Sequence, residues 1–226
     1  AGLDFGLIKP TADDFEGSKL NTAVERIYDI WRDTSADKGT QLVFCDLSTP
    51  RGGSSVQPVP ERESGQEERE DDALGFINMD DLLAASGKFS VYEDVKRKLV
   101  AKGVPADEIA FIHDANTDIR KAKLFSDMNA GRVRVLLGST AKMGAGMNVQ
   151  QRLVAAHHLD APWRPSDLAQ RNGRIIRQGN LFYERDPDNF AVSIYNYATK
   201  QTYDSRMWQT IEYKSASIEQ FRKGDV

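Results

Sequence analysis

The chain has 226 residues, 40% of them hydrophobic and 28% charged, and 34 acids against 30 Lys and Arg give it a formal net charge of −4. That length can bury a sizeable core, and the composition fits a soluble globular protein. No apolar run approaches the roughly 18 residues of a membrane span, and one cysteine excludes an internal disulfide.

The chain opens loosely, without the charged-then-apolar layout of a signal peptide, so the cytoplasm is the expected compartment. Leu20, Ala23, Val24, Ile27, Ile30 and Trp31 then recur at helical spacing, with Ser18 placed to cap the start. Residues 1–40 read as a linker and helix. Gln41–Leu47 (QLVFCDL) is a short apolar run, as expected of a strand covered on both faces, with Cys45 as a buried structural thiol. The sequence from Pro50 to Gly65 favours a mobile loop, and Phe76, Ile77, Met79, Leu82 and Leu83 are spaced for a short surface helix. Residues 51–87 read as an acidic flexible insertion.

From Ser90 a helix follows, with Val91, Tyr92, Val95, Leu99 and Val100 on its apolar side, ended by Gly103 and Pro105. Ile109–His113 reads as a strand. Asp118–Ala130 reads as a helix with Ile119, Ala122, Leu124, Phe125 and Met128 inward. Arg132–Leu137, Leu153–Leu159 and Phe190–Tyr197 are further strands, and Thr202–Arg222 is a helix with Trp208, Ile211, Ile218 and Phe221 on one stripe. Strands alternating with helices predict an α/β fold: a mostly parallel sheet with helices on both faces. Ligands of such sheets bind beyond the carboxyl ends of the strands, where the loops after Leu137 and Leu159 fall.

Charge is segregated along the chain. Glu61–Asp72 carries seven acids and two bases, whereas Gly131–Arg185 carries nine Lys or Arg and three acids. A basic strip of this kind attracts phosphate whatever the total charge. Within it, Arg171, Arg174 and Arg177 are spaced three apart, as on one helix face. Paired guanidinium forks suit a polyphosphate, and Asp167 and Glu184 are the only acids near Gln170–Gln178 in sequence. Ile175 and Ile176 are expected to turn inward while Arg174 and Arg177 point together. Arginines so placed can stabilise charge on a transferring phosphoryl group.

In Ser139–Asn148 (STAKMGAGMN), Gly144 and Gly146 allow positive φ or a close backbone approach to a ligand. Ser139 and Thr140 supply hydroxyls and N–H groups for a phosphate oxygen, and Lys142 adds charge. In Asp160–Pro165 (DAPWRP) the prolines fix the chain as it leaves a strand, and Trp163 either packs in the loop or stacks on a base. His157 and His158 are adjacent in a strand and so face opposite sides, a poor chelating pair. Neither a zinc site nor any other metal site is expected.

QRNGRIIR resembles motif VI of superfamily 2 helicases, STAKMGAGMN resembles motif V, and QLVFCDLS resembles motif IV. HLDAPWRPSDLAQ is similar to the Asp-x-Pro-Trp-x-Pro linker of Swi/Snf-type translocases, and WQTIEYKSASIEQ to the tail of large bacterial or phage helicase–methylase proteins. The resemblance covers about Gln41 to Lys200, and the long acidic insert departs from compact members. It implies a RecA-like three-layer sandwich, the C-terminal motor lobe of an ATP-dependent DNA helicase or translocase, over residues 41–200, followed by a C-terminal helix at 201–226. It implies that Arg174 and Arg177 reach the phosphates of ATP across a lobe interface. Gly146, Asn148 and Gln170 are then nucleotide-side residues, while Ser139, Thr140, Lys142 and Asn116 touch the nucleic-acid backbone. It also implies DNA, an N-terminal lobe in the same parent chain and a DNA methylase domain as partners. ATP and Mg²⁺ would be held mainly by the other lobe, since this chain has no G-x-x-x-x-G-K-[ST] and no DExx pair after a strand. The alternative is a non-catalytic nucleic-acid or protein binding module on the same fold. A dinucleotide-dependent oxidoreductase is set aside because no G-x-G-x-x-G follows an early strand.

Overall fold

The structure, a computed structural model, describes residues 16–46, 90–144 and 146–223. The acidic stretch Glu61–Asp72, the short helix expected near residues 75–85 and the first residues of the chain lie outside the described residues. In chain order the elements are α1 (Lys19–Asp33), β1 (Thr40–Phe44), α2 (Val91–Ala101), β2 (Ile109–Phe111) and α3 (Asp118–Asn129). Then come β3 (Val135–Gly138), α4 (Thr140–Gly144), β4 (Leu153–His158), α5 (Pro165–Ile175), α6 (Leu181–Arg185), β5 (Ser193–Asn196) and α7 (Tyr203–Lys223). The five strands pair in parallel in the order β2-β3-β1-β4-β5.

Strand alternation sorts the apolar side chains into two layers. Val43, Cys45, Val135, Leu137, Ile109 and Phe111 face one side and meet Leu20, Ala23, Val24 and Ile27 of α1 and Tyr92, Val95 and Leu99 of α2. Leu42, Phe44, Leu136 and Ala156 face the other and meet Met128 of α3, Met143 of α4 and Ile175 of α5. Each of the Val, Leu, Ile, Phe and Met side chains among them contributes about 1.5–3 kcal/mol by leaving water. Burial on both faces explains why β1 reads as an unbroken apolar run.

Local signals set several boundaries. The Ser18 hydroxyl accepts from the Asn21 N–H and starts α1, and the Thr117 hydroxyl accepts from the Arg120 N–H and starts α3. After α2 the chain reverses at Gly103, whose φ of +105° is glycine territory. Other expectations need correction. Ile109–His113 is a strand only to Phe111, because a 3₁₀ turn takes Ile112–Asp114. Val100 is 41% exposed on the outer side of α2. In α3 only Met128 is buried, Leu124 and Phe125 are partly covered, and Ile119 and Ala122 are exposed, so the helix packs through its second half. In α7 the first turns hold Trp208 and Ile211 in the core, but Ile218 and Phe221 project into solvent on the outer half.

Candidate functional site

Strands β1, β3 and β4 end side by side, so the residues just after them converge: Asp46, Ser139 with Thr140, and Asp160. Gly138 ends β3 where a Cβ would lie 2.5 Å from both Ile112 Cγ2 and Met143 Cγ, so α4 packs directly against the strand end. The chain leaves β4 through Asp160 to Pro162, and Pro165 at the first turn starts α5.

Helix α5 carries Arg171 into this junction, where its side chain is completely buried. Nε donates to Thr140 Oγ1 at 2.7 Å. Nη1 donates to the Asp160 carbonyl at 3.0 Å and faces His158 Nδ1 at 3.3 Å. Nη2 donates to Asp46 Oδ2 at 2.7 Å and Asp160 Oδ1 at 2.9 Å. All five N–H groups are thereby used, and one cation is flanked by two carboxylates. Burial pushes the Asp160 carboxyl up, against the opposing pull of Arg171. Burial, with Arg171 beside it, pushes His158 down to about 3, so its imidazole is neutral and accepts at Nδ1. His157 faces the other layer and bonds Tyr197 Oη at 2.8 Å and Gln41 Oε1 at 2.9 Å. It is likewise pushed down to about 3, chiefly by burial.

The arginine row expected on one face of α5 is therefore broken. Arg171 is neutralised by carboxylates of this chain that are distant in sequence. Arg174 is partly exposed and makes no hydrogen bond or ion pair among the described residues. Arg177 lies beyond the end of the helix and, among the described residues, donates only to neutral acceptors: the Gly173 carbonyl, the Met147 carbonyl and Asn148 Oδ1, the last at 2.5 Å. Ile175 is buried as expected, but Ile176 is 71% exposed, because its extended backbone ends α5 and turns the side chain out.

The remaining candidates divide by exposure. Gly146 is exposed with φ +67°, and among the described residues no atom beyond its chain neighbours lies within 4 Å of where its Cβ would sit, so the loop backbone is open to close approach. Asn148 and Gln170 are exposed, Asn148 is the residue Arg177 holds, and Gln170 lies one helical turn before Arg174 on α5. Lys142 and Asn116 are exposed. Ser139 is buried, and its hydroxyl accepts from the Lys142 N–H at 3.4 Å. Thr140 gives both its N–H and its hydroxyl proton to Asp46. Trp163 is 73% exposed, so loop packing does not account for it. Neither Asp46 nor Asp160 stood out in the sequence as a site residue, and nothing in their spacing announces that they share one arginine.

A parallel sheet with its first strand in the middle, helices on both faces, and an arginine-bearing helix after its fourth strand defines a RecA-like α/β lobe. The family model described as the helicase conserved C-terminal domain matches residues 66–179, half of the chain, and the chain belongs to that family. "Defense against restriction protein B" of Escherichia phage P1 is 28% identical over 103 residues, covering 46% of this chain and 4% of that protein. "Uncharacterized ATP-dependent helicase YqhH" of Bacillus subtilis (strain 168) is 36% identical over 97 residues, covering 42% of this chain and 15% of that protein. The chain thus spans a small part of the curated relatives it matches. Among solved structures, the C-terminal part of the Fun30 ATPase domain aligns at 13% identity with a TM-score of 0.49, covering 87% of this chain and 46% of that one. No described helix is long and apolar enough to cross a membrane.

Proposed function

We propose that the chain is the C-terminal motor lobe of an ATP-dependent DNA helicase or translocase, working against an N-terminal lobe of the same parent chain. One observation carries the reading. Of two arginines three residues apart, Arg171 is buried between two carboxylates while Arg174 has no counter-ion among the described residues. A partly exposed guanidinium without a counter-ion, beside a second one held by neutral acceptors among the described residues, fits an anion supplied from outside. ATP is that anion, and its triphosphate fits these donors. Arg174 and Arg177 would offset charge on the transferring phosphoryl group, with Gly146, Asn148 and Gln170 lining the nucleotide side of the interface. Mg²⁺ would be held mainly by the other lobe.

On the nucleic-acid side, Lys142, Asn116 and the Ser139–Thr140 turn would meet the backbone, and the exposed Trp163 ring is free to stack on a base. The coupling follows from α5. One helix packs its buried arginine against the Thr140 turn and displays Arg174 towards the lobe interface, so closure on the nucleotide moves both together. In the two-lobe parent protein, Arg174→Ala and Arg177→Ala should each lower ATP turnover by about 10³-fold or more, and Arg174→Ala should do so without changing the melting temperature. Turnover within a few-fold of the parent's would refute the assignment and favour a non-catalytic binding module.

A further inference from the structure

We infer that the donors of Thr140, together with the Arg171 guanidinium, form a seat for one backbone phosphate of DNA, and that the Asp46 carboxylate is its displaceable internal occupant. This rests on the proposed nucleic-acid grip around Ser139–Lys142 and specifies how that grip is held in check. The Thr140 N–H donates to Asp46 Oδ1 at 2.6 Å and the Thr140 hydroxyl to Oδ2 at 2.7 Å. Arg171 Nη2 reaches the same Oδ2 at 2.7 Å. Three donors converge on the two oxygens of one anion, which is also what the non-bridging oxygens of a phosphodiester require.

Two observations make Asp46 the replaceable partner. The first is charge. One guanidinium sits between two carboxylates, so departure of Asp46 leaves Arg171 and Asp160 as a balanced pair. The second is access. The Asp46 side chain is 41% exposed, whereas those of Asp160 and Arg171 are 8% and 0% exposed. Water can take up the Asp46 carboxylate as it swings out, and a phosphate can enter from the same open side. The Asp46 backbone N–H donates to Asp160 Oδ2, so the main chain stays anchored while the side chain moves.

The test is a double-mutant cycle on the 226-residue chain, read as affinity for a short fluorescein-labelled DNA duplex at low salt. Asp46→Ala should bind about tenfold tighter, the worth of one charge-assisted hydrogen bond set free. That gain should shrink to about twofold or less in Asp46→Ala/Thr140→Val, which lacks the hydroxyl. A gain kept in full by the double variant would mean simple removal of negative charge and would overturn the inference, as would no gain in Asp46→Ala. If the alanine variant does not melt cooperatively, the isosteric Asp46→Asn replaces it, with a gain of the same sign expected. Lys142→Ala and Asn116→Ala report on the underlying grip. If they weaken binding while Asp46 variants do not tighten it, only the Asp46 inference falls; if they change nothing, or the parent chain does not bind, the grip falls and takes the inference with it.

Discussion

Arg171 and Arg174 stand one helical turn apart and answer to different demands. Removing Arg171 leaves Asp46 and Asp160 facing each other, one of them buried, with Thr140 and His158 short of a partner. Breaking a buried pair in this way costs about 3–5 kcal/mol, so Arg171→Ala should lose that much stability by chemical denaturation. Arg174→Ala should change it by no more than about 0.5 kcal/mol, because no side-chain hydrogen bond or ion pair among the described residues depends on it. Equal losses for the two variants would contradict the division of labour. The sequence shows three arginines at one spacing and cannot show which of them meets Asp46, 125 positions earlier in the chain. Arg134 gives the same lesson. It reads as one residue of an alternating strand, yet it is buried, donates to the carbonyls of Gly39 and Trp31, and lies over the Trp31 ring. Partners that distant come from topology, and a local pattern carries no trace of them.

At the scale of elements, strand β4 carries two neutral histidines into opposite layers. Both are pushed from the ordinary 6.5 down to about 3, so the unfolded chain takes up protons there that the folded chain refuses. Stability contributed by β4 is therefore present above pH 6.5 and is lost as the pH falls towards 3. Each histidine adds a slope of about 1.4 kcal/mol per pH unit within that window. Asp160 works in the opposite sense, since burial raises its carboxyl. Denaturant titrations between pH 6.5 and 5 should show stability falling with acid, and His157→Gln should remove about half of that slope. A flat profile would mean that the pair is hydrated in solution. Element type was largely readable, because apolar runs and caps such as Ser18 and Thr117 are local devices. Element ends and faces were less so. Ile119, Ile176, Ile218 and Phe221 obey helical spacing, but each falls where its helix overhangs or leaves the body, and periodicity does not say how far a neighbour extends.

For the molecule as a whole, the grouping of the loops after β1, β3 and β4 at the carboxyl ends of the strands follows from parallel topology, and the alternation of strands and helices in the sequence was enough to anticipate it. Activity is another matter. The chain has no Walker loop for the β- and γ-phosphates. Highly purified 226-residue chain should therefore hydrolyse ATP no faster than a buffer blank, and measurable turnover removed by Arg174→Ala would show that a single lobe suffices.

The strand order carries a consequence for biosynthesis. Residue Gln41 of the middle strand waits for Val135 and Ala155 to flank it, so both of its edges stay open while roughly a hundred more residues leave the ribosome. At about 5–20 residues per second that interval lasts on the order of 5–20 s. For that time an apolar β segment lacks both of its native strand partners, which makes nascent chains stalled before Val135 the form most in need of a chaperone.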